Sequence, residues 1–334
     1  MRATDRRQLQ GRVLDEGYRV GPLIGEGATG LVYYGVRLDG GASVALKVLR
    51  KRFASDPELR ARLRLEAHVS RVVAHPGMIP VLDEGQLPDG SPFIVMEHML
   101  GESLAHLLAR ARRLQLRWVM AIGRRVASIL HAVHSAGFVH RDVKPEHILL
   151  DRAHGGELRV SLLDLGVCCP VSPATRTLER ERGRIFGTPG YVAPEQAGGD
   201  GTPSIQSDIY ALGATLFECS TGRLPTKGNT VVEWLRSAMT TDAPPLRRLL
   251  PDAPEAMEAL LARSLSRQPD ARPTSARVME RQMATMLPDA RIVERHVASR
   301  LMQVQGRSEA ARTAEPCTPT RANPLAELEQ ARGG

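Results

Sequence analysis

Residues 140–147 bring together the side chains best suited to chemistry in this sequence. They read His-Arg-Asp-Val-Lys-Pro-Glu-His and are followed by the apolar residues 148–150. Chargeable residues interrupted by a proline, then an apolar run, predict an irregular loop that enters a short buried strand. Such a loop can hold the carboxylate of Asp142 within hydrogen-bond reach of a reacting hydroxyl, with the ammonium of Lys144 two positions on. Because phosphoryl transfer depends mainly on positioning and charge neutralisation, these two groups indicate that chemistry.

The composition limits the classes of protein to which the chain can belong. Its 334 residues can bury a large core, and a hydrophobic share of 42% with a charged share of 25% is typical of a soluble globular protein. The net charge is +8, but the arginines are scattered rather than clustered with aromatic residues, which argues against nucleic-acid binding. No run of about eighteen apolar residues occurs, so no membrane span or membrane partner is expected. The four cysteines show neither metal-ligand spacing nor a disulfide pattern, which favours a cytoplasmic location.

Lysine is rare in this chain, which makes its positions informative. The sequence has 45 basic residues, and its only lysines are Lys47, Lys51, Lys144 and Lys227. A compact ammonium fits between phosphate oxygens where a planar guanidinium does not, so arginine cannot always replace it. Lys47 and Lys144 are the two that fall in motifs.

A glycine-rich turn precedes Lys47. Residues 25–30 read Gly-Glu-Gly-Ala-Thr-Gly and lie between two predicted strands, 18–24 and 31–36. A turn between two strands, rather than between a strand and a helix, argues against a dinucleotide-binding domain. Glycines let a hairpin backbone lie over a triphosphate and donate its N–H groups. Residues 43–49 form the next predicted strand, which contains Lys47.

Taken together, these motifs resemble the eukaryotic-type Ser/Thr protein kinases, in their bacterial branch, over residues 18–283. The family's signatures are His-Arg-Asp-Leu-x-x-x-Asn, Val-Ala-Ile-Lys and Asp-Phe-Gly, with a segment that ends Ala-Pro-Glu. The matching stretches are residues 140–147, Val44-Ala45-Leu46-Lys47, Asp164-Leu165-Gly166, residues 187–195 (Gly-Thr-Pro-Gly-Tyr-Val-Ala-Pro-Glu) and residues 267–273. Lys144 and Thr188 in this setting are typical of Ser/Thr rather than Tyr specificity.

The resemblance implies an α+β, two-lobed protein kinase fold. We expect an N-terminal extension at residues 1–17 and a small antiparallel β lobe with one helix at 18–99. A larger, mainly helical lobe is expected at 100–283. The remainder, 284–334, is expected to form one helix and then a largely disordered tail, because it has little apolar content after about residue 302.

The same resemblance assigns catalytic roles. Asp142 would act as the base, and Lys144 would stabilise charge. Lys47 would anchor the α- and β-phosphates of ATP, held by Glu66 in the helix predicted at 57–73. Asp164 would bind Mg²⁺ bridging the β- and γ-phosphates.

Further residues are expected to bind ATP or brace the fold. Backbone groups of Glu97 and Met99 in the hinge would contact the adenine, with Val32, Ala45 and Leu149 on either side of its ring. The expected ATP-binding set is Gly25, Glu26, Gly27, Ala28, Thr29, Gly30, Val32, Ala45, Lys47, Met96, Glu97, Met99 and Leu149. The expected structural residues are Asp208, which would brace the catalytic loop, and Glu195, which would pair with Arg272.

Thr175 and Thr177 are candidate phosphorylation sites in the segment between residues 167 and 195. Phosphate on either would pair with Arg141, next to Asp142, and order the segment. A Thr175→Ala/Thr177→Ala double variant is therefore expected to lose activity, measured as phosphate transfer. Full activity in that variant would rule the switch out.

His147 departs from the family pattern, which has a metal-binding Asn there. Mg²⁺ prefers hard oxygen ligands, whereas imidazole suits ions such as Mn²⁺ better. Two interpretations remain open: a kinase that uses ATP with Mg²⁺ or Mn²⁺, at reduced activity, and a pseudokinase that only binds nucleotide or a partner. A small-molecule phosphotransferase is disfavoured by the Ala-Pro-Glu segment, which shapes a platform for peptides. The implied partners are protein substrates, including a second copy of the chain for autophosphorylation.

Overall fold

The computed structural model describes residues 9–15, 17–152, 157–171, 183–199 and 203–299. These residues form two compact units, one ending at Leu100 and the other beginning at Gly101. The candidate sites Thr175 and Thr177, and the tail predicted beyond residue 302, lie outside the described residues.

The first unit is built on a six-stranded antiparallel sheet. Alternating buried and exposed residues, with many β-branched and aromatic side chains, place one face of the sheet on a core that contains Tyr33, Leu46 and Val95. The spatial order of its strands is β1-β2-β3-β4-β6-β5. The strands are β1 Val13–Leu14, β2 Tyr18–Glu26, β3 Gly30–Arg37, β4 Ser43–Leu49, β5 Val81–Gln86 and β6 Pro92–Glu97.

One helix, α1 (Pro57–Val72), packs on the other side of this sheet. It begins where the side chain of Asp56 accepts hydrogen bonds from two backbone N–H groups and where Pro57 fixes the first turn. Its buried stripe includes Leu63, Ala67 and the carboxylate-bearing Glu66. A short 3₁₀ helix at Lys51–Phe53 connects β4 to α1.

Part of the expected extension at residues 1–17 belongs to the sheet. Within it, β1 pairs with β2, with Val13 opposite Arg19 and Leu14 opposite Tyr18. Leu14 is 5% exposed and joins the core of the sheet. The sequence did not predict this strand, because its neighbours are polar and two residues are too few to show an alternating pattern.

The second unit is mainly helical. At its centre lies α5, an apolar helix that is buried along almost its whole length because other helices cover it on several sides. The helices are α2 Leu104–Ala111, α3 Leu116–Ser135, α4 Pro194–Ala197, α5 Ile205–Thr221, α6 Val231–Thr240, α7 Leu246–Leu249, α8 Glu255–Ser264 and α9 Ala276–Thr285, with α10 at residues 290–299. A small antiparallel sheet with one helix, followed by a mainly helical unit, confirms the predicted fold class.

Two small sheets in this unit position the polar loops. Strand β7 (Glu102–Ser103) pairs with β9 (Ile148–Arg152), which pairs with β10 (Leu158–Leu162). Strand β8 (Phe138–Val139) pairs with β11 (Cys169–Pro170). The loop at 140–147 therefore runs from β8 to β9, and residues 163–168 run from β10 to β11.

Helix α10 lies beyond the resemblance but packs into the second unit. Val297 is buried, and Glu294 is 2% exposed. The Glu294 carboxylate accepts hydrogen bonds from Arg124 and Arg125 of α3, at 2.5 and 2.6 Å. Of the helices in the described ranges, none is long and apolar enough to span a bilayer.

Candidate active site

Asp208, at the start of α5, holds the loop that precedes Asp142. Its side chain is 0% exposed and accepts hydrogen bonds from the backbone N–H groups of His140 and Arg141, both at 2.8 Å. His134 Nε2 donates to the same carboxylate at 2.8 Å. Burial would raise the pKa of Asp208, but the hydrogen bond and charge of His134 oppose it, and the pKa lies below its usual value. The buried carboxylate thus fixes the backbone on one side of Asp142.

Two non-glycine residues here have strained backbone. Arg141 in the loop has φ of 71°, and Asp164, between β10 and β11, has φ of 61°, so both lie in the left-handed region at a cost of about 1–3 kcal/mol each. Gly187 has φ of 94°, and a Cβ there would lie 2.7 Å from the carbonyl oxygen of Arg141. Only glycine lets the 183–199 segment approach the loop so closely.

Asp142 lies between a cation and a hydroxyl. Lys144 Nζ donates to Asp142 Oδ2 at 2.8 Å and to Thr188 Oγ1 at 2.6 Å. The Thr188 hydroxyl in turn donates to Asp142 Oδ1 at 3.0 Å. The three side chains form a closed ring of hydrogen bonds, so the carboxylate is both oriented and charge-balanced. It can accept a proton from a hydroxyl that takes the place of Thr188's.

The orientation of His147 follows from its neighbours. His147 Nδ1 lies 2.9 Å from the carbonyl oxygen of Asp142, which can only accept, so Nδ1 carries the hydrogen. Nε2 lies 3.4 Å from Asp164 Oδ2. With its hydrogen on Nδ1, the imidazole presents a lone pair at Nε2, so a cation between Nε2 and Asp164 Oδ2 would have one ligand on each side.

Asp142, His147 and Asp164 could together hold a divalent cation. Each offers one ligand atom, and the three atoms lie within 4.8 Å of one another. Adjacent ligands about 2.1 Å from an octahedral ion lie about 3.0 Å apart, close to the His147–Asp164 separation. Two carboxylates and one imidazole suit Mn²⁺ at least as well as Mg²⁺.

In the first unit, Lys47 and Glu66 form an ion pair. Lys47 Nζ donates to both carboxylate oxygens of Glu66 at 2.7 Å. The two side chains are 19% and 7% exposed, so the pair is largely shielded from water. The structure therefore brings together the lysine and the acid that the resemblance paired across β4 and α1.

The other residues expected to bind ATP lie on the same sheet or on β9. Val32 faces Lys47 across the β3–β4 ladder, and Ala45 pairs with Met96 on β6. Glu97 ends β6 and Met99 follows it, both half-buried. Leu149 lies in β9 of the second unit, half-buried.

Glu195 and Arg272 are joined by a two-pronged ion pair. Arg272 Nη1 and Nη2 donate to the two carboxylate oxygens at 2.8 and 2.7 Å. The guanidinium also donates to the carbonyls of Gln206 and Ser266 and lies 5.1 Å from the ring of Tyr210. The pair links the 183–199 segment to the connection between α8 and α9.

Arg141, the expected partner of a phosphothreonine, has aromatic and backbone partners here. Its guanidinium lies 4.2 Å from the ring centroid of Phe186, and it donates to the Val167 carbonyl at 3.3 Å. Arg184 lies over the same ring at 5.3 Å. Both guanidinium groups therefore make cation–π contacts with the same ring.

Three residues with clear geometric roles were missed as site residues. The sequence pattern identifies Thr188 only as a marker of Ser/Thr specificity, although its hydroxyl donates a hydrogen bond to Asp142. His134 supports Asp208 from within a helix that reads as a plain amphipathic helix. Arg50 binds the glycine-rich turn, and nothing in the sequence around it distinguishes it from the many other arginines.

Comparison with known proteins shows the family to which the chain belongs. The protein kinase domain profile matches residues 18–283. That match covers well over half of the chain, so the chain belongs to the protein kinase family. Members of this family use ATP and a divalent metal ion to phosphorylate proteins.

Its relatives are bacterial Ser/Thr kinases. The chain is 38% identical over 288 residues to the serine/threonine-protein kinase pkn3 of Myxococcus xanthus, covering 85% of this chain and 52% of that protein. It is 36% identical over 280 residues to PknL of Mycobacterium tuberculosis, covering 83% and 67%. With PknA of the same species it shares 34% identity over 267 residues, covering 78% and 59%. The chain thus spans from about half to two thirds of the length of these curated relatives.

Proposed function

We propose that this chain is an active kinase that transfers the γ-phosphate of ATP to serine or threonine residues of proteins, including its own. The kinase domain would span residues 18–283, with 18–99 as the smaller lobe and 100–283 as the larger. Membership of the family supports the reaction class. The observation that supports activity is the ring formed by Asp142, Lys144 and Thr188, because it presents an oriented carboxylate to a hydroxyl.

Asp142 would accept the proton of the substrate hydroxyl as its oxygen bonds to the γ-phosphorus, while the bond from that phosphorus to the bridging oxygen breaks and ADP leaves. The hydroxyl of the substrate would replace that of Thr188 as a donor to Asp142. Lys144 would remain in contact with the carboxylate and offset charge as it spreads over the transferred phosphoryl group. A carboxylate placed in this way typically contributes about 10²–10⁴-fold to the rate.

The ion pair between Lys47 and Glu66 would serve the nucleotide. Glu66 holds the ammonium of Lys47 in one position, so little rotamer freedom remains to be lost when phosphate binds. Asp164 and His147 would hold a divalent cation, which supplies positive charge to the phosphate oxygens when bound. The expected ATP-binding residues of β3, β4 and β6 would contact the adenine of ATP.

His147 supports a second candidate, a nucleotide-binding module without turnover. An imidazole in place of the amide oxygen gives Mg²⁺ a poor ligand. Incorporation of radiolabelled phosphate from ATP, measured with Mg²⁺ and with Mn²⁺, separates the two candidates. Labelling with either ion supports the kinase, whereas ATP binding without labelling under both conditions supports the module.

Replacing His147 by Asn is expected to raise turnover with Mg²⁺ and to lower the Mn²⁺/Mg²⁺ activity ratio. An amide oxygen is a harder ligand than imidazole nitrogen, so the ratio should fall by about tenfold, equivalent to about 1.4 kcal/mol. Initial rates over a titration of each metal ion provide the measurement.

The matched control is His106→Asn on α2, because His106 is exposed and its ring hydrogen-bonds only to Ser103 within the described ranges. That variant should retain the wild-type ratio. An unchanged or lower Mg²⁺ rate in His147→Asn would show that His147 does not limit the use of the metal.

A further inference from the structure

The glycine-rich turn is attached from one side by the residues that follow β4. Arg50 donates from its backbone N–H to the carbonyl of Thr29 at 2.9 Å. Its guanidinium donates to the carbonyl of Gly27, from Nη2 at 3.0 Å and from Nε at 3.3 Å. Arg52 Nη2 donates to the carbonyl of Ala28 at 3.4 Å. Three consecutive carbonyls of the turn therefore point towards residues 50–52.

Arg50 is unusual among the arginines because its charged group is buried beneath the turn. Its side chain is 5% exposed, and Nη2 lies 2.7 Å from Glu26 Oε1. A guanidinium removed from water needs such partners, and hydrogen bonds from a charged donor are about twice as strong as those from a neutral one. The ion pair thus holds the guanidinium where it can bind the Gly27 carbonyl.

The direction of the carbonyls determines the direction of the amides. In a planar trans peptide the C=O and N–H bonds point to opposite sides. The carbonyls of Gly27, Ala28 and Thr29 share their peptides with the N–H groups of Ala28, Thr29 and Gly30. Those N–H groups therefore point away from residues 50–52. Within the described part of the chain, the amides of Ala28 and Thr29 donate to no protein acceptor.

We propose that Arg50 is a positioning residue that aims the amides of the glycine-rich turn at the phosphates of ATP. This inference rests on the proposed function, because it takes ATP as the ligand. Arg50 touches no phosphate; it fixes the carbonyls on one side so that the N–H groups form an anion-binding edge on the other. Arg52 contributes less, because its side chain is exposed and its hydrogen bond is long.

The test compares two ligands that differ only in their phosphates. Binding of a non-hydrolysable ATP analogue with Mn²⁺, and of adenosine, is measured by calorimetry on the full chain. Arg50→Met should lower the affinity for the ATP analogue by about tenfold. That is the factor expected when one hydrogen bond from a turn amide to a charged phosphate is lost. Its affinity for adenosine should stay within about twofold, because adenosine does not need the turn amides. In kinetics, KM for ATP should rise more than kcat falls.

Control variants separate positioning from folding. Arg37→Met removes an exposed cation of the same unit, paired only with Asp39 in the described residues, and should bind both ligands normally. Glu26→Ala/Arg50→Met removes both members of the buried pair, so no charge is left unpaired, and it should reproduce the selective loss. Arg50→Lys keeps the charge without the forked donors and should lie between wild type and Arg50→Met.

Three outcomes would overturn the inference. Equal losses for the ATP analogue and adenosine would give Arg50 a purely structural role. Unchanged binding of the analogue by Arg50→Met and by the double variant would remove any role. If the wild-type chain bound adenosine but not the analogue, the proposed function itself would fail, which is distinct from a failure confined to the Arg50 variants.

Discussion

Asp142→Asn is expected to reduce phosphate transfer by about 10³-fold while leaving ATP binding within about twofold of wild type. Asparagine keeps the shape of the side chain but cannot accept a proton from the attacking hydroxyl at neutral pH. The remaining amide oxygen can still accept from Lys144, and the new amide NH2 can donate to Thr188 Oγ1, so the loop should keep its conformation. Single-turnover transfer of radiolabelled phosphate to the chain itself, or to a generic protein substrate, measures the rate.

Asp242→Asn is the matched control for this variant. Asp242 lies in the same unit, and its side chain is 78% exposed and paired with Arg267. Its replacement should leave transfer unchanged. If Asp142→Asn retained more than about one tenth of the wild-type rate, Asp142 would not be the base, because an oriented base contributes at least about 10²-fold.

Arg272→Met is expected to lower the free energy of unfolding of the second unit by about 3–5 kcal/mol. The guanidinium side chain is 0% exposed and donates to the Glu195 carboxylate and to three backbone carbonyls. Removing it leaves a partly buried carboxylate without its counter-ion and those carbonyls without this donor. Methionine keeps much of the side-chain volume, so the loss reports the polar contacts rather than a cavity.

Urea unfolding followed by tryptophan fluorescence suits this measurement. The chain has two tryptophans, Trp118 in α3 and Trp234 in α6, and both lie in the second unit. The signal therefore follows that unit alone, which matters because a chain of two units need not unfold in a single step.

A neighbouring surface pair provides the control for Arg272. Arg267 pairs with Asp242, and their side chains are 42% and 78% exposed. Arg267→Met should change the unfolding free energy by less than about 1 kcal/mol, because exposed ion pairs contribute little. A similar small change in Arg272→Met would show that the Glu195 pair is not a structural link.

Local sequence patterns were sufficient to predict most of the strands and helices that position the site. Strand β4 lies at Ser43–Leu49 as predicted, and α1 ends one residue before the predicted boundary. Both segments carry clear signals, an apolar run containing two valines in β4, and the Asp56 cap and Pro57 in α1. The two-residue strand β1 was not predicted, because so short a segment shows no periodic pattern.

Contacts between residues far apart in the chain could be predicted from the sequence only in part. Asp208 and Arg272 were placed by their motifs, since a motif carries the pairing of its members. Arg50 and His134 belong to no motif. Their roles depend on partners 23 and 74 positions away in the chain, and no local period encodes such distances.

By itself the sequence determined the order of the elements and the identity of the reactive groups. Residue types at fixed spacing specify the strands, the glycine-rich turn, the loop with Asp142 and the presence of His147. The tertiary structure alone decided which atom of each group faces which partner. The Asp142 carbonyl sets the protonated nitrogen of His147, and the buried Arg50 sets the direction of the turn's amides. These are properties of three-dimensional hydrogen-bond geometry, which depends on how segments far apart in the chain pack together.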